Sequence, residues 1–454
     1  MESRRSRLSR ILPTALLVAS LPVAAQQATV SSQAGAALPE SLAREATTAM
    51  GRGATYLLGK QNPDGSWQNF PAITALACVA LRPCKLPAGD DARLAAIEKG
   101  RGYILANVQP DGAICTPDRM YVNYSTAVCL STLAILGKPE DVPVMRKTRQ
   151  YLVAQQLDED HATQAVTKDN PSYGGFGYGE SAGRGPGMGG PGMGGHGAGP
   201  GMGGPGIGGH GAGPGMGGPG MGGHGAGPGM GGPGMGGPGR LPRADLSCTQ
   251  WVLEALYLSD SVDRDAPGKN EADARQVDLA WEKANLFLQA VQALQKTGEG
   301  GWLVTDTKDG GFTYLPAGPG ESDSMRSYGS MTYAGLKSMV YAKLAPDDPR
   351  VKAAREWARL HYTVAENPGM EASGHFYYLL TFAKALAVCG ETTVTTADGV
   401  PHDWRRDLVT KLLELQKEEG QWCNDRSGRW QESNPELVTS YALISLGIAT
   451  GGAQ

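Results

Sequence analysis

Residues able to do chemistry are few in this chain and lie far apart. Asp245, heading Asp245-Leu246-Ser247-Cys248-Thr249, is the carboxyl best placed to act as a catalytic acid. A proton donor of that kind must be buried or crowded enough to hold its proton near neutral pH. Tyr124, Asp245, Arg326, Tyr328, His375 and Tyr378, with Tyr377 beside the last two, form a candidate ligand-binding set whose cation, imidazole and phenols suit an anionic or polar group. Capping and packing are the competing roles for the same residues, Asp245 being a good N-cap. The run Asp158-Glu159-Asp160-His161 reads as a solvated charge cluster in a polar loop. Seven cysteines are scattered without Cys-x-x-Cys spacing, so neither a redox motif nor a zinc knuckle is indicated. Pro63-Asp64-Gly65 and Pro110-Asp111-Gly112 fit tight turns better than calcium loops. No metal and no cofactor is expected.

The elements that must position these residues repeat. Arg52 to Trp67 reads as a helix end carrying Tyr56, Leu57 and Gln61, then the turn Gly65-Ser66-Trp67, then an uncharged segment from Asn69 to Leu81. The unit recurs at Lys283-Ala284, Phe287-Leu288 and Gln292, leading to Gly300-Gly301-Trp302, and at Leu412-Leu413, Gln416, Gly420 and Trp422. Looser copies surround Gln109 and Gln156, and Trp357 marks the weakest. Repeats at such intervals are stacked units that bury their apolar faces only against one another. Arg405 to Glu419 has Leu408, Leu412 and Leu415 on one face, as a surface helix does, while Tyr121 to Gly137 and Leu437 to Gln454 carry no charge, as enclosed helices do. Six one-sided helices outside six apolar ones predict an all-α fold, an (α/α)6 toroid of six helical hairpins with a cavity on its axis. The candidate residues fall at the starts of inner helices, where converging N-termini are expected to make a donor-rich mouth.

Two segments stand outside the repeats. Arg4, Arg5, Arg7 and Arg10 precede the apolar run Ile11 to Ala19, and Val23-Ala24-Ala25 supplies small residues, so residues 1–25 read as a signal peptide cleaved near Ala25 and the mature chain as exported. Residues 26–40 read as a linker. The stretch Gly183 to Gly239 is a Gly/Pro/Met-rich insert with half of the 66 glycines, His196, His210 and His224 at a constant interval and Arg184 as its only charge. That composition predicts disorder. It divides the toroid into 41–182 and 240–454, and reads either as an expanded surface loop or as a cover or soft-metal site. Net charge of −4 gives no nucleic-acid signature, and no apolar run outside the leader and the interrupted repeat helices reaches membrane-spanning length.

The Gln, Gly-x-Trp and Gly-Gly-Phe pattern resembles the prenyltransferase and squalene oxidase repeats of the terpenoid cyclase and protein prenyltransferase superfamily. The resemblance covers essentially the whole mature chain apart from the insert. It implies the toroid; it does not by itself imply an activity. The cyclase acid motif Asp-x-Asp-Asp is missing, the matching helix start reading Asp245-Leu246-Ser247-Cys248. The prenyltransferase zinc ligands would fall on Asp245, Ser247 and Tyr328, of which only the first is a good ligand. The thioester motif of related toroids meets Cys389-Gly390-Glu391-Thr392, which lacks the acyl-donating Gln.

Three functions remain open. The leading expectation is an exported toroid, without the family's chemistry, that binds an isoprenoid-like or anionic small molecule or a protein partner. The second is an isoprenoid cyclase or transferase using Asp245 as an unrecognised acid. The third is a polysaccharide-acting toroid, which would need paired cavity carboxylates. Replacing residues 183–239 with a short Gly-Ser linker is expected to leave the thermal midpoint nearly unchanged, because loop closure depends weakly on length. A large drop would show that the insert packs against the toroid.

Overall fold

A computed structural model describes residues 38–161, 163–179, 243–264, 271–297, 301–305, 308–316 and 326–451. The leader and the insert lie outside the described residues. The helices are α1 (Glu40–Lys60), α2 (Pro71–Leu81), α3 (Asp91–Ala106), α4 (Val122–Leu136), α5 (Val142–Ala154), α6 (Leu246–Leu258), α7 (Asp260–Arg264), α8 (Glu271–Val291), α9 (Gly329–Tyr341), α10 (Pro349–Leu360), α11 (His375–Val388), α12 (Trp404–Leu415) and α13 (Pro435–Ala449). Two short antiparallel hairpins complete the regular structure, β1 (Gln295–Lys296) with β2 (Trp302–Leu303) and β3 (Val394–Thr395) with β4 (Pro401–His402).

The expected toroid is present. Helix α2 packs on α4, α4 on α6, α6 on α9, α9 on α11 and α11 on α13, and α13 returns to α2, so the inner ring closes on itself. Outside it α3 lies on α2, α5 on α4, α8 and α10 on α9, α12 on α13, and α1 bridges α12 and α13. Burial follows the sequence pattern. In outer α12 only Trp404, Leu408, Val409 and Leu412 are buried, whereas every residue of inner α13 after Pro435 is. Helix α13 starts where Asn434 accepts from the Glu436 and Leu437 amides, with Pro435 at its first position, and α4 stops at Gly137 in left-handed conformation.

One turn device recurs between the layers. The Gln61 side-chain amide donates to Gly65 O (2.9 Å) and, across the repeat boundary, to Ala96 O in α3 (2.8 Å). Gln292 does the same with Gly310 O (3.0 Å) and Arg350 O (2.9 Å), and Gln416 with Gly420 O and Ala49 O (both 2.8 Å). Next, the amide of the turn's apolar residue donates to a threonine in the first turns of the inner helix: Trp67 to Thr74, Ile114 to Thr126, Phe176 to Thr249, Phe312 to Thr332 and Trp422 to Thr439, all at 2.9–3.0 Å. Trp67 and Trp422 are fully buried wedges whose indole N–H donates to Leu57 O (2.8 Å) and Leu412 O (2.7 Å). Trp302, expected to be the third wedge, lies instead on hairpin strand β2, and Gly310-Gly311-Phe312 forms the true turn. The hairpin is an insertion between Gln292 and its glycine, so nearest-match spacing picks the wrong aromatic.

The glycines of these turns are obligatory. Gly420 has φ 93° and its missing Cβ would sit 2.8 Å from Arg52 O of α1. Gly399 has φ 82° with open space around it. Both Gly→Ala changes incur strain of about 1–3 kcal/mol from positive φ, but only Gly420→Ala adds a clash at the closing seam. The expected result is a clearly lower denaturation midpoint for Gly420→Ala than for Gly399→Ala. Equal midpoints would refute the claim that the seam is close-packed.

Candidate functional site

Helix α6 presents Ser247, Gln250, Trp251 and Glu254 at intervals of three and four, one face of a helix, toward α9 and α11. Each of these helices carries a lone internal charge: Glu254 in α6, Lys337 in α9, Lys384 in α11. The three meet in the interior. Glu254 accepts from Lys337 and from Lys384 Nζ (2.5 Å), and all three side chains are at least nine-tenths buried. Lys337 also donates to Gln250 Oε1 (2.5 Å), and both ammonium groups lie over the Trp251 ring, Lys384 at 4.7 Å and Lys337 at 5.5 Å. Burial alone would raise the Glu254 carboxyl, but the two ammonium charges outweigh it and hold the group down to about 2. Burial pushes Lys337 down to about 8, against the upward pull of Glu254.

Above this triad, toward the helix N-termini, lies a layer of tyrosines. Tyr377 Oη accepts from Gln250 Nε2 (3.1 Å) and sits 3.3 Å from Ser247 Oγ, which in turn accepts from Tyr178 Oη (3.3 Å). The Tyr314 hydroxyl lies near Asp245 and Tyr178, and the Tyr441 hydroxyl near Tyr124. A polar chain runs from Tyr178 through Ser247, Tyr377 and Gln250 to the triad. Tyr124, Tyr178, Tyr314 and Tyr377 are only half-buried, yet burial pushes every one of these phenols up, Tyr124 to about 12. Rings surrounded by protein that still keep accessible surface face an internal space. At its rim stand two exposed aromatics on left-handed backbone, Tyr121 (φ 51°), edge-on to Tyr178 at 5.6 Å, and Trp430 (φ 55°), capped by Arg429 at 4.5 Å.

Of the six expected ligand-binding residues, Tyr124, Asp245 and Tyr328 belong to this cluster, Asp245 adding to the upward push on the Tyr328 phenol. The other three do not. Tyr378 is fully buried against Tyr333 and Phe382 and donates to Thr363 O (2.6 Å), because the residue beside Tyr377 on α11 faces a different way. His375 Nε2 is spent on Val364 O (3.0 Å), and Arg326 is exposed. The donor-rich mouth is also corrected. Asp245 accepts from the Cys248 amide (2.8 Å), Asn367 from Ser330 (3.0 Å), Asn434 from Glu436 (3.0 Å) and Glu432 from Tyr377 (2.8 Å), so four inner-helix N-termini are already capped. Tyr178, Tyr314 and the triad were absent from the expected set, and Tyr377 stood only beside its last two members. A lone charge in each of three otherwise uncharged helices was the signal for the triad.

No family model and no curated protein matches the chain. Among solved structures, the type II terpene cyclase MstE from Scytonema with geranylgeranyl dihydroxybenzoate is similar over 91% of this chain and 99% of its own, at 12% identity and TM-score 0.49. The same enzyme in its apo form matches over 89% and 98%, at 12% identity and TM-score 0.46. A glycosidase matches over 92% and 100%, at 12% identity and TM-score 0.45. What the site does rests on its own residues.

Burial pushes Asp245 up to about 7, against the lowering effect of its hydrogen bonds. Between the ordinary carboxyl value and about 7 the folded state holds a proton that the unfolded chain has released, so this group's contribution to stability falls as pH rises through that window. In Asp245→Asn, which can still cap α6, that part of the fall, about 2–4 kcal/mol, is expected to vanish. Denaturant midpoints at pH 5 and 7.5 with the same slope in both proteins would refute it.

Proposed function

We propose that this protein is an exported toroid that takes a small ligand into a tyrosine-lined chamber on its axis and binds it without transforming it. The observation carrying this reading is the set of enclosed yet half-accessible rings of Tyr124, Tyr178 and Tyr377. Their phenols are all pushed up, so they are neutral at physiological pH and offer faces for apolar contact and hydroxyls for hydrogen bonds. None of them is a nucleophile. Isoprenoid-like molecules, the class brought in by the repeat resemblance, fit such a lining. The exposed Tyr121 and Trp430 stand where a ligand would enter. Backbone strain at exposed aromatics supports a role at the entrance, since such strain concentrates at functional sites.

A second reading is an isoprenoid cyclase or transferase with Asp245 as acid. It is favoured by the carboxyl raised to about 7 and lying near Tyr314. It is weakened by the cap that Asp245 forms on α6.

A native mass spectrum of protein purified from its source tests the first reading. It is expected to show a chain beginning near Gln26 and carrying one unmodified small molecule. In Tyr377→Ala the bound fraction should fall about tenfold or more. A chain retaining its first residues would refute export, and an empty protein or a Tyr377→Ala variant with undiminished occupancy would refute chamber binding.

A further inference from the structure

The triad beneath the tyrosines has two positive charges and one negative. Among the described residues no second carboxylate pairs with either lysine. Burying an uncompensated charge is costly unless something answers it. Lys337 is fully buried, with two donors spent on Glu254 and Gln250 and the rings of Trp251 and Tyr341 around it. Lys384 is not. It donates to Glu254 alone, is 7% exposed, and lies over Trp251. An ammonium has three N–H donors, so two remain. Tyr377 and Lys384 are seven residues apart on α11 and share its face, so the Lys384 backbone lies about 10 Å further along the helix axis than that of Tyr377.

We infer that Lys384 receives one singly charged anionic group, a carboxylate, at the inner end of an elongated apolar ligand whose body lies among the tyrosines. This rests on the chamber reading above and names the ligand class: an amphipathic monocarboxylate entering head first. A single negative charge completes the neutralisation of two ammonium groups and one carboxylate. A diphosphate would overshoot it and bring a larger desolvation cost. The Trp251 ring lies 4.7 Å from the Lys384 ammonium and covers one side of it.

The test uses a dansyl-labelled long-chain carboxylate and its methyl ester, titrated into the whole protein by fluorescence. The wild type is expected to bind the acid about tenfold or more tighter than the ester. Lys384→Met leaves a neutral Glu254–Lys337 pair, so it should stay folded, bind the ester as the wild type does, and lose the preference for the acid. Should Lys384→Met not fold, Lys384→Gln serves the same comparison. Equal binding of acid and ester by the wild type overturns the carboxylate site while leaving the chamber intact. Failure of both probes to bind overturns the chamber reading itself. Displacement of the acid by an equal concentration of acetate overturns the amphipathic ligand, because the site then holds a free anion. A prenyl diphosphate that outcompetes the acid overturns the single-charge argument.

Discussion

The toroid depends on the double hydrogen bond of the turn glutamine. One amide group, with two N–H donors, ties its own turn through a glycine carbonyl and the neighbouring outer helix through a backbone carbonyl. It does so at Gln61, Gln292 and Gln416. The accepting carbonyls of Ala96, Arg350 and Ala49 lie within outer helices, so the side-chain amide uses the second lone pair of a carbonyl and ties it to the turn. Three of the six repeats grip the next through this same contact, and the last of them, from Gln416 to Ala49, returns the chain to α1. The glycine that follows has to be glycine twice over, for its positive φ and for the carbonyl facing its α-hydrogen.

Once the ring is closed, its two layers divide the work. The space between them is filled in part by Trp67, Trp404, Trp422, Phe287 and Phe312, which are among the largest fully buried side chains. The inner face is then free to be polar. Its polar side is drawn from α6, α9 and α11, while α2, α4 and α13 present mainly small or uncharged residues. The interior therefore has a charged half and a neutral half, and the triad joins three neighbouring helices in the charged one.

The fold was legible because it is written in periodicity and repeated several times: Leu408 and Leu412 mark the outer face, Ile444 the enclosed one, and Gln and Gly positions mark most of the turns. The site was legible only in part. Asp245, Tyr124 and Tyr328 are found by their place at helix starts, but whether a side chain there faces the axis or the outer layer depends on about 100° of rotation per residue. That is why Tyr377 is half-buried and bonded to Gln250 of α6 while adjacent Tyr378 is fully buried against Tyr333 and Phe382. Tyr178 and Tyr314 come from loops after turn glycines, where no periodic pattern says which way a ring points. The triad needed only a different question, which charged residues occupy helices that otherwise tolerate none.

The bond from Gln416 to Ala49 spans 367 positions of sequence. Such a contact forms late, since long loops must close before it rewards the chain. Until the last two helices have left the ribosome, α2 and α11 each lack a neighbour, and their apolar sides are bare. The growing polypeptide is thus a partial arc with two sticky ends, and its quality control is built into geometry: a chain truncated before α13 cannot hide either end.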